Sequence, residues 1–213
     1  MSTAREPELA ELVIADPPEA WRDLGFDVPE SGSFDVGGVR IRLAVAEQEP
    51  GQPAPRGVTA WSLMRVNAMG SIDGLASPVP RVLRPAPFKT HPNGATGIDR
   101  LVIHTSDLDR SAAAFARAGV ELEDELLTER GRERRRRLGP AVVEVVQRDD
   151  LNGDSAQFFS LAVVVISLDE LAVRVGDLLG EIEPAPEPGR FIATLSSSAG
   201  LSVPLQFMSP EPP

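Results

Sequence analysis

The 213-residue sequence contains no cysteine. Disulfide scaffolds, thiolate metal centres and thiol nucleophiles are thereby excluded, and a reducing compartment fits, with the cytoplasm as the expected location. Long apolar runs are also missing. None approaches the ~20 residues needed to span a membrane. The opening MSTAREPELAELVIADPP has no basic region followed by an apolar core, so neither a leader nor a membrane partner is expected. Positive charge is scarce too: 21 Lys and Arg against 32 Asp and Glu leave a net charge of −11. Such a field repels nucleic acid and anionic membrane. What the chain does have is 42% hydrophobic residues, enough at this length to close a core.

One stretch runs against the acidic balance. RGRERRRR, residues 130–137, places six arginines in eight positions, a density seen in basic nucleic-acid segments. Neither aromatic stacking residues nor a helical register flanks it, so no nucleic-acid partner is expected. The run reads as one strand of solvated arginines that offsets its acidic surroundings.

Three stretches share one pattern of short apolar strand, polar cap and amphipathic helix. They are LVIADPPEAWRDLGF, IDRLVIHTSDLDRSAAAFARAG and FSLAVVVISLDELAVRVGDLLG. Asp16, Asp107 and Ser167 stand where helix N-caps belong, and Gly25, Gly119 and Gly180 where the helices are expected to stop. Strands and tight turns follow each helix. In the middle copy ELLTE, RERRRRL and AVVEVV are divided by Arg130-Gly131 and Gly139-Pro140. In the last copy strands are expected at 190–196 and 202–208, after a poor one. SFDVGGVRIRLAV and GVTAWSLMRV serve the first. Each unit is thus close to βαβββ, and the class is α+β. The boundaries read as a degenerate N-terminal βαβββ-like module at 1–66, a Pro/Gly/Ala-rich linker at 67–96, and a paired domain at 97–210 with modules 97–150 and 157–210.

The paired units, the GIDRLVIHTSDLDR opening, LGPAVVEVVQ and the closing PGRFIATLSSSAGLSVPLQFMSP resemble glyoxalase-like proteins of the vicinal oxygen chelate superfamily. The resemblance covers about residues 91–210, and the N-terminal segment is a weaker match. It implies two modules whose curved sheets enclose a cavity, as in glyoxalases and bleomycin-resistance proteins, often around one divalent metal held by four strand residues. Relatives include lyases, isomerases, dioxygenases and metal-free binding proteins, so fold alone does not choose among them.

Alternation along strands places side chains independently of any family. Val203, Leu205 and Phe207 form one apolar face, which turns Gln206 inward. Val143 and Val145 do the same for Glu144, and a carboxylate among valines requires a partner. Counting back from Asp107 and Ser167 pairs Arg100 with Ser160 in the repeat. The family's ligand positions, on the first and last strands of each module, then fall on Arg100, Glu144, Ser160 and Gln206. Arginine only donates, and serine is a poor ligand for a transition ion. Glu144 and Gln206 remain as weak metal candidates, and no cofactor is firmly implied beyond a possible divalent metal.

Two placements of Arg100 are open: an ion pair with Glu144 filling the metal's space, or a guanidinium reaching solvent at the strand end. His104 shares its face and is a candidate general base beside Glu144. Arg190 could hold an anionic group or be a solvated turn residue, and His91 is expected to be exposed. SSSAG lacks the setting of a nucleophile elbow, and DVGGVR is no phosphate loop. Three functions fit: a small-organic-molecule binder with a degraded metal site, a metal-dependent enzyme, or a non-catalytic interaction module. The first module, if left uncovered, would favour a homodimer.

Overall fold

The computed structural model describes residues 6–44, 54–67, 70–80 and 89–212. Its first module runs β1 (Glu8–Ile14), α1 (Pro18–Asp23), β2 (Ser33–Val36), β3 (Val39–Leu43) and β4 (Val58–Met64), followed by the hairpin β5 (Gly70–Ile72) and β6 (Leu75–Ser77). The second runs β7 (Ala95–Thr105), α2 (Leu108–Arg117), β8 (Leu126–Thr128), β9 (Gly131–Leu138) and β10 (Ala141–Gln147). The third runs β11 (Gln157–Val165), α3 (Leu168–Val175), β12 (Glu183–Pro184), β13 (Phe191–Thr194) and β14 (Leu205–Met208).

Modules two and three are complete βαβββ units. Within each, the last strand lies parallel to the first, β10 along β7 and β14 along β11. The two units join where β7 pairs antiparallel with β11, which makes one eight-stranded sheet in the order β12-β13-β14-β11-β7-β10-β9-β8. Alternation then sorts the side chains. Leu101, Ile103, Val143, Val145, Leu161, Val163, Leu205 and Phe207 are buried on the face toward the helices. Their neighbours Arg100, Val102, His104, Val146, Ser160 and Gln206 line a cavity on the other.

The first module is degenerate in a definite way. Its sheet, β2-β3-β1-β4, repeats the order β9-β10-β7-β11 of the larger one: β3 is parallel to β1, and β4 is antiparallel on β1's far side. It therefore has one strand fewer than βαβββ, and β4 occupies the place that β11 takes beside β7. The β2–β3 turn is Gly37-Gly38, both at positive φ, as a two-residue hairpin loop demands.

Several expectations change here. Pro17, not Asp16, is the N-cap of α1; the buried Asp16 carboxylate instead accepts from the Trp21 indole at 3.1 Å and from the Ser202 backbone at 2.6 Å. Asp107 and Ser167 do cap α2 and α3. Helix α3 ends at Gly176, not near Gly180. Within the stretch read as a linker lie β5, β6 and His91. The His91 ring is buried, not exposed: Nδ1 accepts from Asp27 N and Nε2 faces Asp35 O.

The first module is not left uncovered. Trp61 meets Phe115 of α2 and Phe158 of β11 edge-on at 5.8 and 5.5 Å, and Phe26 stacks at 6.4 Å on Phe207 of β14. Both tryptophans are fully buried, and one continuous apolar core runs through all three modules. The reason for expecting a dimer thus falls away, since the chain covers this surface itself. Among the described residues, no helix is long and apolar enough to cross a membrane.

Candidate functional site

A cavity of about 670 Å³ opens on the concave side of the large sheet, between modules two and three. Strand β7 delivers Arg100 to its floor, and each guanidinium nitrogen finds an acid: Nε donates to Asp99 at 2.8 Å, Nη1 to Glu144 at 3.0 Å and Nη2 to Glu187 at 2.5 Å. Glu144 also accepts from Arg130 at 2.9 Å and lies 3.2 Å from Arg135 Nε. Arg130 and Arg135 in turn both donate to the fully buried Glu133, at 2.8 and 2.6 Å. At the other end Arg190 donates to Asp99 at 2.6 Å. Four guanidiniums and four carboxylates form one connected, charge-balanced network.

The hairpin register explains how the arginine run reaches this floor. Pairing Ala141 with Leu138 sets Arg135 opposite Glu144 and Glu133 opposite Val146, so alternate residues of β9 turn inward. Burial works against the charge on Arg100, but the charge of Glu144 and the hydrogen bonds that Arg100 donates to Glu187 and Asp99 outweigh it and raise its pKa. Burial also pushes Glu187 upward, yet its bond to Arg100 and that residue's charge leave its pKa below the ordinary value.

A divalent metal, as the resemblance implies, does not fit these residues. Both oxygens of Glu144 are engaged by guanidiniums, Glu144 is 1% exposed and is not among the cavity's lining residues, and Arg100 stands in a ligand position. No group of three or more metal-binding side chains occurs among the described residues. Ser160 and Gln206 do line the cavity, and Gln206 Nε2 donates to Thr194 at 3.2 Å.

His104 lies on the cavity wall beyond Val102. A bulge in β11 between Phe158 and Ser160 brings Phe159 against it, with ring centroids 3.8 Å apart and planes 16° from parallel. Burial, then the nearby Arg148 charge, lower the His104 pKa and favour the neutral imidazole. Arg190 is neither solvated nor on the cavity wall. It is buried, holding Asp99 and donating to the Ser209 carbonyl at 3.1 and 2.8 Å.

The strand positions Arg100, Glu144, Ser160 and Gln206 come together, though Glu144 lies beneath the floor. Sequence reasoning missed Arg130 and Arg135 as partners of Glu144, and Glu133 as the second acid they share, although the Gly139-Pro140 turn already fixes that register. It also missed Glu187 and the Phe159 platform, for which a loop and a bulge left no periodic signal.

No protein-family model and no curated protein matches the chain. Among solved structures, a methylmalonyl-CoA epimerase from Mycobacterium tuberculosis is 20% identical, with 56% of this chain matched to 91% of that one at a TM-score of 0.46. A Streptomyces coelicolor methylmalonyl-CoA epimerase bound to 2-nitronate-propionyl-CoA gives 21%, 55%, 96% and 0.43 in the same order. A xylose isomerase-like TIM barrel/4-hydroxyphenylpyruvate dioxygenase fusion protein matches 99% of this chain with 49% of its own, at 12% identity and a TM-score of 0.60. The last likeness takes in the first module as well as the paired ones, and at that identity it is a likeness of fold.

Proposed function

We propose that this chain, which has the glyoxalase-like vicinal oxygen chelate fold, binds a small organic molecule in the cavity between its second and third modules without a metal. The observation that carries the reading is the occupation of Glu144 by Arg100, Arg130 and Arg135. Positive charge already fills the space in which a cation would be held, while the cavity above it stays open and bears a flat platform of His104 and Phe159. A few oriented polar groups among apolar and aromatic walls suit a small planar ligand. A metal-dependent lyase, isomerase or dioxygenase would need Glu144 and Gln206 to release their partners first. The interaction-module alternative leaves this cavity without a role.

The chain has two histidines, one on the cavity wall and one between the modules, so their imidazole proton resonances report the two places separately. Titration with small aromatic amides, acids and amines is expected to move the His104 resonance and leave that of His91 in place. If no such compound moves His104, or if all move both resonances equally, the reading fails.

A further inference from the structure

Building on that reading, we propose that the cavity selects an organic monoanion, whose carboxylate replaces Glu187 on Arg100. Three acids hold Arg100, and they are not equivalent. Asp99 and Glu144 lie off the cavity with side chains 12% and 1% exposed, whereas Glu187 lines the cavity and is 28% exposed. Only Glu187 can leave toward solvent without dismantling the sheet.

Its position also makes the exchange local. Glu187 sits between Pro186 and Pro188 on the loop joining β12 to β13. Proline restricts the backbone on both sides, so release needs side-chain rotation more than loop movement. The charges then set the ligand class. With Glu187 in place, Arg100, Arg130, Arg135 and Arg190 are balanced by Asp99, Glu133, Glu144 and Glu187. With Glu187 withdrawn, three carboxylates face four guanidiniums, and one positive charge is left on the cavity floor. A monoanion restores neutrality, a neutral molecule leaves the charge uncompensated, and a cation is repelled. Arg100 Nη2 offers the bond, and the side chain of Arg130, 42% exposed and also lining the cavity, adds to the field. Glu187 therefore acts as a built-in competitor that keeps Arg100 paired when the cavity holds no anion.

The test uses the full chain with benzoate, benzamide and benzamidine, three flat probes of similar size and different charge, followed by calorimetry and the His104 resonance. Glu187→Gln removes the competing charge from a partly exposed loop position. It is expected to bind benzoate about tenfold more tightly than the native protein, the scale of removing one like charge from a partly solvated site, with benzamide affinity unchanged. Glu183→Gln is the control for the general field, because Glu183 also lines the cavity but makes no ion pair among the described residues; it should gain no more than about twofold. Equal benzoate affinity in native protein and Glu187→Gln, an equal gain from Glu183→Gln, or a preference for benzamidine would overturn the proposal. In each of those cases binding that moves His104 leaves the cavity reading standing. Failure of all three probes with both proteins overturns the two together.

Discussion

Glu144 is held by three arginines in a nearly dry floor, so its removal leaves buried positive charge without compensation. Glu144→Ala is expected to cost ~3–5 kcal/mol, reduced insofar as Arg130 and Arg135 can turn toward solvent, whereas the exposed Glu123→Ala should stay within ~0.5 kcal/mol. Thermal melts of the two variants decide it, and equal melting temperatures would contradict the network's importance. Metal should bind poorly for the same reason. We expect well under one zinc, manganese, nickel or iron per chain, and Arg100→His alone should not restore a site, because Arg130 and Arg135 still hold Glu144. Elemental analysis checks both. His91 gives a pH dependence with a definite sign. Burial holds its pKa below the ordinary value, so folding favours the neutral ring. Its contribution is fully present above ~6.5 and is lost as pH falls through the depressed value. His104 titrates in the same direction. Melting temperature should therefore fall as pH drops from 7 toward 5, and less steeply in His91→Gln; an unchanged slope would mean that His91 is not linked to folding. Much of this site was legible beforehand, because strand alternation alone turns Gln206 and Glu144 toward one face. Glu187 and the burial of Arg190 were not, since a loop conformation has no period to read.

The βαβββ repeats were readable because each carries its own punctuation: Asp107 and Ser167 cap helices that glycines end, and in the second module two-residue turns separate the strands. The first module was harder. Its strands stood out as apolar runs, but β4 pairs beyond β1 rather than closing the unit, a choice made by tertiary packing and not by local pattern. Asp16 shows the same limit, since its cap-like position is overridden by Trp21 and Ser202. The joint between modules can be tested at Gly37. A Cβ there would overlap Gly97 Cα and lie 2.8 Å from the Thr96 carbonyl oxygen, and φ is +57°. Gly37→Ala is therefore expected to lower stability by ~2–3 kcal/mol or more, combining left-handed strain with a backbone clash at β7. Gly70→Ala, at φ +88° with open space around it, should cost only ~1 kcal/mol. Denaturant midpoints of the pair separate strain from collision.

Considered whole, the molecule buries aromatic rings from its first module against α2, β11 and β14, so the paired modules do not end at an apolar surface of their own. Acrylamide should quench neither tryptophan appreciably in the full chain, and a shortened chain starting at residue 90 should bind hydrophobic dyes and melt earlier. Equal melting temperatures would show that the paired modules need no cover. The charge network on the cavity floor has a further consequence, which concerns time. Its members come from β7, the β8–β9 turn, β9, β10 and the β12–β13 loop, spread over residues 99 to 190. No local fragment can assemble it; β7 must first have found both β10 and β11. The bonds between the modules, Arg100 to Glu187 and Arg190 to Asp99, therefore form late on the way to the native state and break early on the way out, whereas those among residues 130–144 belong to one hairpin. Weakening one of the inter-module bonds, as in Glu187→Gln, should speed escape while leaving entry alone: the unfolding arm of the chevron moves up and the refolding arm stays in place. The pairs that Arg100 and Arg190 make across the modules then act as a latch on an already folded sheet, setting how long the native molecule lasts rather than how fast it is made.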